Sequence, residues 1–378
     1  MAQKKIAIIR PFGHVIDLST YNCQEVGLAR GLASHGVDVD VFLAGEEKSV
    51  TSQTITEDAP GRVRVFRLPF FTLPEIAHAI YPSLRKLLLQ GDYDLLHVNE
   101  ENELTSFLVA RLGAKTGIPV IIYQGMYVPI TGRIRALFQQ FYNIFFLPTL
   151  KRNISLAVAK TTTAEKYLQG KGFPRTAVVP VGLDPSPFSG APDIDWHERL
   201  DIDPESSIIL YVGVFEERRN IDFLLDLAKR FVGTGMTFVF VGTGPKFRDI
   251  QERIFSENIT NTILPGRIGQ RELPSLYRRS SLFLLASDYE IYGMVVLEAM
   301  YFGVPVLSTK TAGPLDIIRS REDGILFDDL SLEKWTRAIN EIIENPATLQ
   351  EMKNRAEQKI HDRLVWNAVA EKYINSIA

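Results

Sequence analysis

Two glutamates have the type and spacing to do chemistry. Glu290 and Glu298 bracket Gly293 in DYEIYGMVVLEAM (288–300), and almost everything after Tyr292 in that stretch is apolar. The pattern reads strand, loop, helix across LFLLASDYEIYGMVVLEAM (282–300), with Glu290 in the loop and Glu298 on the second turn of a buried helix. A bare carboxylate in a core costs on the order of several kcal/mol, so Glu298 needs donors. Sugar or ribose hydroxyls would serve, and so would a buried Arg or Lys in a structural pair. Gly293 permits close backbone approach to a ligand at the helix start. The first helical amides there form an anion site. Glutamate, glycine, helix and glutamate together point to a ligand site.

Such a loop needs a strand to place it. The 378-residue length favours two or more domains. KIAII (5–9), a helix over 24–36 and VDVDVFLA (37–44) make a strand–helix–strand unit. Further strands are predicted at 63–69, 94–98, 119–123, 156–159 and 177–181, completing a doubly wound α/β domain over 1–183. Residues 184–206 hold four prolines and several acidic residues and read as a linker. The alternation restarts with strands at 207–213, 237–245, 261–266, 282–287, 304–309 and 324–327, a second α/β domain over 190–362. An amphipathic helix closes the pattern at 364–378. Two such domains in tandem leave a cleft, and ligands in such sheets bind beyond the carboxyl ends of the strands.

Bulk properties exclude several classes. Net charge is −3, which argues against a nucleic-acid binder. The one cysteine, Cys23, rules out a disulfide framework and fits a reducing compartment. No signal-peptide core or spanning segment is visible, so a cytoplasmic protein is expected. Asp-x-Asp pairs (Asp38/Asp40, Asp92/Asp94, Asp193/Asp195, Asp201/Asp203) lack a supporting ligand cluster, so no metal is expected. One stretch departs from the acidic average: between Glu103 and Glu165 there are seven basic residues and no Asp or Glu. Inside it, 133–152 is expected to hold a helix ended by Pro148, with Phe138, Phe141, Tyr142, Phe145 and Phe146 on one face and basic residues at both flanks. That face is either core or a basic–aromatic contact with an anionic membrane or lipid-linked acceptor at the inner face.

The segment from Glu290 to Glu298 resembles the E-x7-E motif, commonly E-x-F-G-x4-E, of retaining glycosyltransferases with the GT-B fold, the GT4-like group. The likeness continues through 299–318 and 323–329, VPVGLDPSPF (179–188), YDLLHVNE (93–100) and the Trp366 helix, so it covers nearly the whole chain. It implies two Rossmann-like domains facing each other across a cleft, with the terminal helix packed back on the first. It implies a nucleotide-diphosphate sugar as substrate and no cofactor. Glu298 would hold the ribose and Glu290 the transferred sugar. Gly13, Tyr292 and the amides of Gly293, Met294 and Val295 would belong to the donor site. EERRNIDFLL (216–225) matches a family segment ending in Lys-Gly, which would set Arg218 and Arg219 on the diphosphate. Arg267 and Ile268, in GRIG (266–269), would lie beside the nucleobase.

Departures from the family pattern matter as much. Val214 follows Gly213 where many relatives carry arginine, so one phosphate cation is missing. Gln124 stands where a histidine is common. His97 is the substitute candidate for catalysis and acceptor binding, or a hydrogen-bonded structural histidine, and Gln124 and Tyr127 complete the acceptor set. The N-terminal glycine loop is reduced to Gly13, followed by Ser19 and Thr20. The mechanism implied is same-face substitution, with the leaving phosphate taking the acceptor's proton. Two other readings stay open: a GT-B nucleotide-sugar epimerase or phosphorylase, and a sugar-nucleotide binding protein without catalysis. VGTGPKF (241–247) has only G-x-G, and no G-x-G-x-x-G follows the first strand, which disfavours a dinucleotide oxidoreductase.

Overall fold

A computed structural model describes residues 4–18, 23–56, 59–73, 78–128 and 132–377. Ser19 and Thr20 lie outside them. The chain forms two compact units, Met1–Asp184 with Val365–Ala378, and Pro185–Leu364.

The first unit is built on an eight-stranded sheet. Its strands are β1 (Lys5–Ile9), β2 (Asp38–Ala44), β3 (Thr51–Thr54), β4 (Val63–Leu68), β7 (Leu95–Asn99), β8 (Val120–Gln124), β9 (Leu156–Ala159) and β10 (Thr176–Val178). A separate two-stranded sheet pairs β5 (Phe71–Leu73) with β6 (His78–Ile80). The large sheet has the order β10-β9-β8-β7-β1-β2-β4-β3. All its pairings are parallel except β3 against β4. Central strands such as KIAII and VIIYQ are buried on both faces, which is why they read as continuous apolar runs. The polar edge strand β3 and the short β5–β6 pair carry no such run, and the sequence did not predict them.

The second unit is a six-stranded parallel sheet. Its strands are β11 (Ser207–Val212), β12 (Met236–Val241), β13 (Thr262–Gly266), β14 (Ser280–Leu285), β15 (Val306–Thr309) and β16 (Gly324–Phe327). The order β13-β12-β11-β14-β15-β16 reverses direction between β11 and β14. That reversal is the switch point at which open α/β sheets bind ligands.

Two expectations need correction. The expected linker 184–206 is packed against the second unit. Trp196, in a short helical turn capped by Asp195, is 1% exposed and donates from Nε1 to Ser275 Oγ at 2.8 Å. Phe188 packs on Phe302 with ring centroids 5.2 Å apart. Proline content marked an irregular backbone, not a free one. The helix expected to end at Pro148 runs over Arg133–Phe145, and Pro148 lies in the first turn of a second helix, Leu147–Asn153, that was not expected. The aromatic residues also divide. Tyr142 is fully buried, and Phe138 and Phe146 pack on the core. The outward row is instead Ile134, Leu137, Phe141, Ile144 and Phe145, each 48–66% exposed. At 100° per residue these five fall within an arc of about 100°.

The Trp366–Ile377 helix belongs to the first unit, where it lies along the Gln24–Ser34 helix. Gly27 and Gly31 make that approach possible, because a Cβ at either would collide with Trp366. The Trp366 amide also donates to the Leu183 carbonyl.

Candidate functional site

The loops after β11 and β14 meet at the switch point. After β11 the chain passes Gly213, Val214 and Phe215 into a 3₁₀ turn, Glu217–Arg219. Asn220, at φ +52°, then redirects it into the Ile221–Lys229 helix. Asn220 Nδ2 donates to the Ala286 carbonyl at 2.8 Å and to Asp288 Oδ1 at 2.6 Å. The Asp288 amide returns a bond to the Arg218 carbonyl at 2.8 Å. Asparagine is among the few non-glycine residues that accept this left-handed backbone, and its side chain spans the two loops as well.

This stitching brings Arg218, Arg219 and Glu290 together. Arg219 Nη1 donates to Glu290 Oε2, and it bonds Ser287 Oγ at 3.2 Å. Arg218 Nη1 lies 3.9 Å from the same carboxylate oxygen and donates to the Tyr289 carbonyl at 3.1 Å. The Arg218 guanidinium also sits 4.7 Å over the Tyr289 ring. Glu216 supports the pair, 2.6 Å from Arg218 Nη2 and 3.6 Å from Arg219 Nε. The arginines are therefore a positioned cation cluster.

Gly293, at φ +87°, opens the Met294–Tyr301 helix. A Cβ there would stand 3.2 Å from both Glu290 Cγ and Val296 Cγ2, so the glycine serves the backbone conformation and the closeness of Glu290. Glu290 thus lies against the amide end of this helix. Met294 and Val295 are partly exposed there, while Tyr292 is 3% exposed.

Glu298 lies on the second turn of that helix. Its backbone neighbours are buried, and burial pushes its carboxyl up to about 7. Tyr277 donates to Glu298 Oε2 at 3.1 Å, and the phenol ring stacks on Phe302. Among the described residues no Lys or Arg pairs with Glu298, so the structural ion pair that could explain its burial is absent.

Other candidates are more scattered. Arg267 and Ile268 follow β13, two strands from β11, with Arg267 exposed and Ile268 half-buried. Val214, where a cation was missing from the family pattern, is 51% exposed, and the cations of its loop are Arg218 and Arg219. Lys246 is taken up by Asp222 at 3.2 Å, Glu217 at 3.5 Å and Asp249 at 3.8 Å. No group of three His, Cys, Asp or Glu among the described residues could hold a metal ion.

In the first unit the acceptor candidates change character. His97 is fully buried in β7. Its Nδ1 meets Tyr373 Oη at 2.7 Å and its Nε2 meets Asn99 Oδ1 at 2.9 Å. Burial pulls its pKa down to about 4. With both nitrogens engaged it is a structural histidine, and its assignment to catalysis and acceptor binding is corrected. Gln124 is likewise fully buried, and among the described residues its side chain bonds backbone, accepting from the Glu101 amide and donating to the Met126 carbonyl, each at 2.8 Å. It is a loop clamp, not an acceptor ligand. Tyr127 is half-buried in the loop after β8. At Gly13 a Cβ would lie 2.6 Å from Thr72 Cγ2, so packing against β5 and β6 accounts for that glycine.

The sequence missed a polar group at the carboxyl ends of this sheet. Arg10, Glu25, Asn99, Glu100 and Lys160 are each 8% exposed or less. Asn99 Nδ2 donates to Glu25 Oε1 at 2.6 Å, and Glu25 lies 3.7 Å from Arg10 Nε. Glu100, at φ +58°, accepts from the amides of Gly125 at 3.0 Å and Met126 at 3.1 Å. Burial raises its pKa against the pull of Lys160. The one available signal was the polar run HVNEE at the end of an apolar strand.

Comparison with known proteins agrees in both units. Residues 193–359 match the family described as Glycosyl transferases group 1, and residues 26–187 match Glycosyltransferase Family 4. An uncharacterized glycosyltransferase of Methanocaldococcus jannaschii is 21% identical over 92% of this chain and 91% of its own. The 2-deoxystreptamine N-acetyl-D-glucosaminyltransferase of Niallia circulans is 21% identical over 93% of this chain and 95% of its own. Among solved structures, sucrose-phosphate synthase of Thermosynechococcus elongatus superposes with a TM-score of 0.73 at 19% identity, covering 98% of each chain. Anabaena HepE, solved with UDP and glucose, gives 0.71 at 18% identity over 99% of each chain. The two family matches, one in each unit, make the protein a GT4-like glycosyltransferase with the GT-B fold of two α/β parallel-sheet domains.

Proposed function

We propose that the protein transfers a sugar from a nucleotide-diphosphate sugar to a hydroxyl acceptor, with retention at the anomeric carbon and without a metal ion. The observation that carries this reading is the contrast between the two glutamates. Glu290 is held by arginines at a helix N-terminus, whereas Glu298 is a half-buried carboxyl with, among the described residues, a single phenol donor and no cation. Ribose hydroxyls supply the donors that Glu298 lacks. The diphosphate takes the charge of Arg218 and Arg219 and the amides of Met294 and Val295. Glu290 orients the transferred sugar. The bond from the anomeric carbon to the phosphate oxygen breaks as the acceptor oxygen bonds to the same face, and the leaving phosphate oxygen takes the acceptor's proton. The arginines stabilise the charge that develops on that phosphate, the role a metal would otherwise have. HepE's complex with UDP-glucose supports the donor class.

The test is a thermal-shift panel of UDP-, GDP-, ADP- and TDP-sugars on the wild type, Glu290→Ala and Glu298→Ala. One donor should stabilise the wild type and Glu290→Ala but not Glu298→Ala, and Glu290→Ala should lose turnover. Turnover of donor with water as the only acceptor would favour the epimerase reading. Full turnover by Glu290→Ala would sink the proposal.

We also propose that the outward row of the Arg133–Phe145 helix rests on the anionic inner face of a membrane, where a lipid-linked acceptor would be presented. Its five exposed apolar side chains and the absence of any Asp or Glu between Glu103 and Glu165 support this. Binding to anionic vesicles should then be weak and reversed by salt.

A further inference from the structure

A cavity of about 250 Å³ lies between the Leu84–Gln90 and Leu104–Thr116 helices of the first unit. Tyr81, Leu84, Leu88, Val109 and Leu112 line it and are themselves buried. The polar atoms of its wall are spent internally. Tyr81 Oη donates to the Phe12 carbonyl at 2.6 Å, and Thr105 Oγ1 donates to the Ala79 carbonyl at 2.8 Å. The interior therefore suits hydrocarbon and offers water few partners.

Among the described residues its lining carries charge of one sign only. Arg85, Arg111 and Lys115 are exposed and border the cavity, and no described Asp or Glu lines it. Among the described residues none of the three forms an ion pair. Arg253, by contrast, meets Asp222, Asp226 and Glu257. Leu108, 50% exposed, also lines the cavity.

We propose that this cavity binds a single hydrocarbon chain bearing an anionic head, with the chain between the two helices and the carboxylate or phosphate on Arg85, Arg111 and Lys115. The guest is an anionic amphiphile, drawn either from solution or from a bilayer. The inference is independent of the glycosyl-transfer reading, because no residue of the second unit takes part.

Calorimetric titration of the full chain with hexanoate, octanoate, decanoate and decanol, each below its micelle concentration, tests it. Affinity for the acids should rise about fourfold per methylene, the equivalent of about 0.8 kcal/mol each. Decanoate should bind at least tenfold tighter than decanol. The triple variant Arg85→Gln, Arg111→Gln, Lys115→Gln should erase that preference. Leu108→Trp should block both ligands, and its exposed position leaves the fold intact. Vesicles of phosphatidylglycerol distinguish the sources: reduced binding by Leu108→Trp identifies a bilayer lipid, and unchanged binding identifies a free amphiphile. A flat chain-length dependence, equal affinity for acid and alcohol, or a triple variant that keeps the preference would overturn the proposal.

Discussion

Removing the Arg219 side chain separates what the arginine cluster does for stability from what it does for chemistry. In the wild type Arg219 and Glu290 are 14% and 11% exposed, so their pair is nearly buried. Deleting one partner of a buried pair typically costs about 3–5 kcal/mol, because the other charge is left uncompensated. Here Arg218 remains 3.9 Å from the carboxylate. At that distance and an effective dielectric near 20 a pair is worth about 4 kcal/mol, so much of the compensation survives. Arg219→Ala should therefore destabilise by about 2 kcal/mol. Arg219→Ala with Glu290→Ala removes the orphaned charge and should recover roughly half of that loss. Turnover should behave otherwise. Both variants lose a cation that stabilises the leaving phosphate, a drop of about 10² to 10³ that the double variant does not recover. Urea unfolding and nucleotide release from the donor, measured on the same preparations, read the two effects separately. If the double variant regains turnover together with stability, the cluster is structural and its assignment to the diphosphate is wrong.

Three further outcomes are expected. Because the Glu298 carboxyl is raised to about 7, the folded state favours its protonated form, so stability falls by about 3 kcal/mol as pH rises from about 4.5 to 7. Glu298→Gln should flatten that slope in urea titrations, and donor binding at pH 7 should release a proton, seen as a buffer-dependent binding enthalpy. His97 stays neutral when folded, so its contribution is lost as pH falls from about 6.5 towards 4. His97→Ala, which orphans Asn99 and Tyr373, should cost about 2–4 kcal/mol in unfolding experiments while leaving kcat per folded molecule unchanged. Leu137→Glu with Phe141→Glu alters only exposed positions and should abolish sedimentation with anionic vesicles at low salt without shifting Tm.

Long apolar strands were legible because burial on both faces leaves no other composition open to them, as in β1 and β8. The polar edge strand β3 and the segment around Trp196 were not. The first has no apolar face to report, and the second is fixed by one side chain that packs far away in sequence. At the candidate site, spacing singled out Glu290, Gly293 and Glu298. It could not show which glutamate meets an arginine, because the Arg219–Glu290 pair joins loops from different strands. The aromatic row failed for a related reason. Helical spacing identifies residues that share a side of the helix, but Phe138 and Phe141 lie only 60° apart, and a core edge runs between them.

The return of Val365–Ala378 to the first unit has a consequence for biosynthesis. Gly27, Gly31 and Gly182 form a trough shaped to Trp366, and His97 takes a hydrogen bond from Tyr373. Neither contact can exist until the ribosome has completed all of Pro185–Leu364, on the order of tens of seconds after the rest of the first unit has emerged. The second unit is contiguous and can finish folding first. The nascent first unit meanwhile exposes an apolar trough and a histidine that lacks its Tyr373 partner. It is therefore the half of the chain on which a chaperone would act and at which C-terminal truncation would be felt.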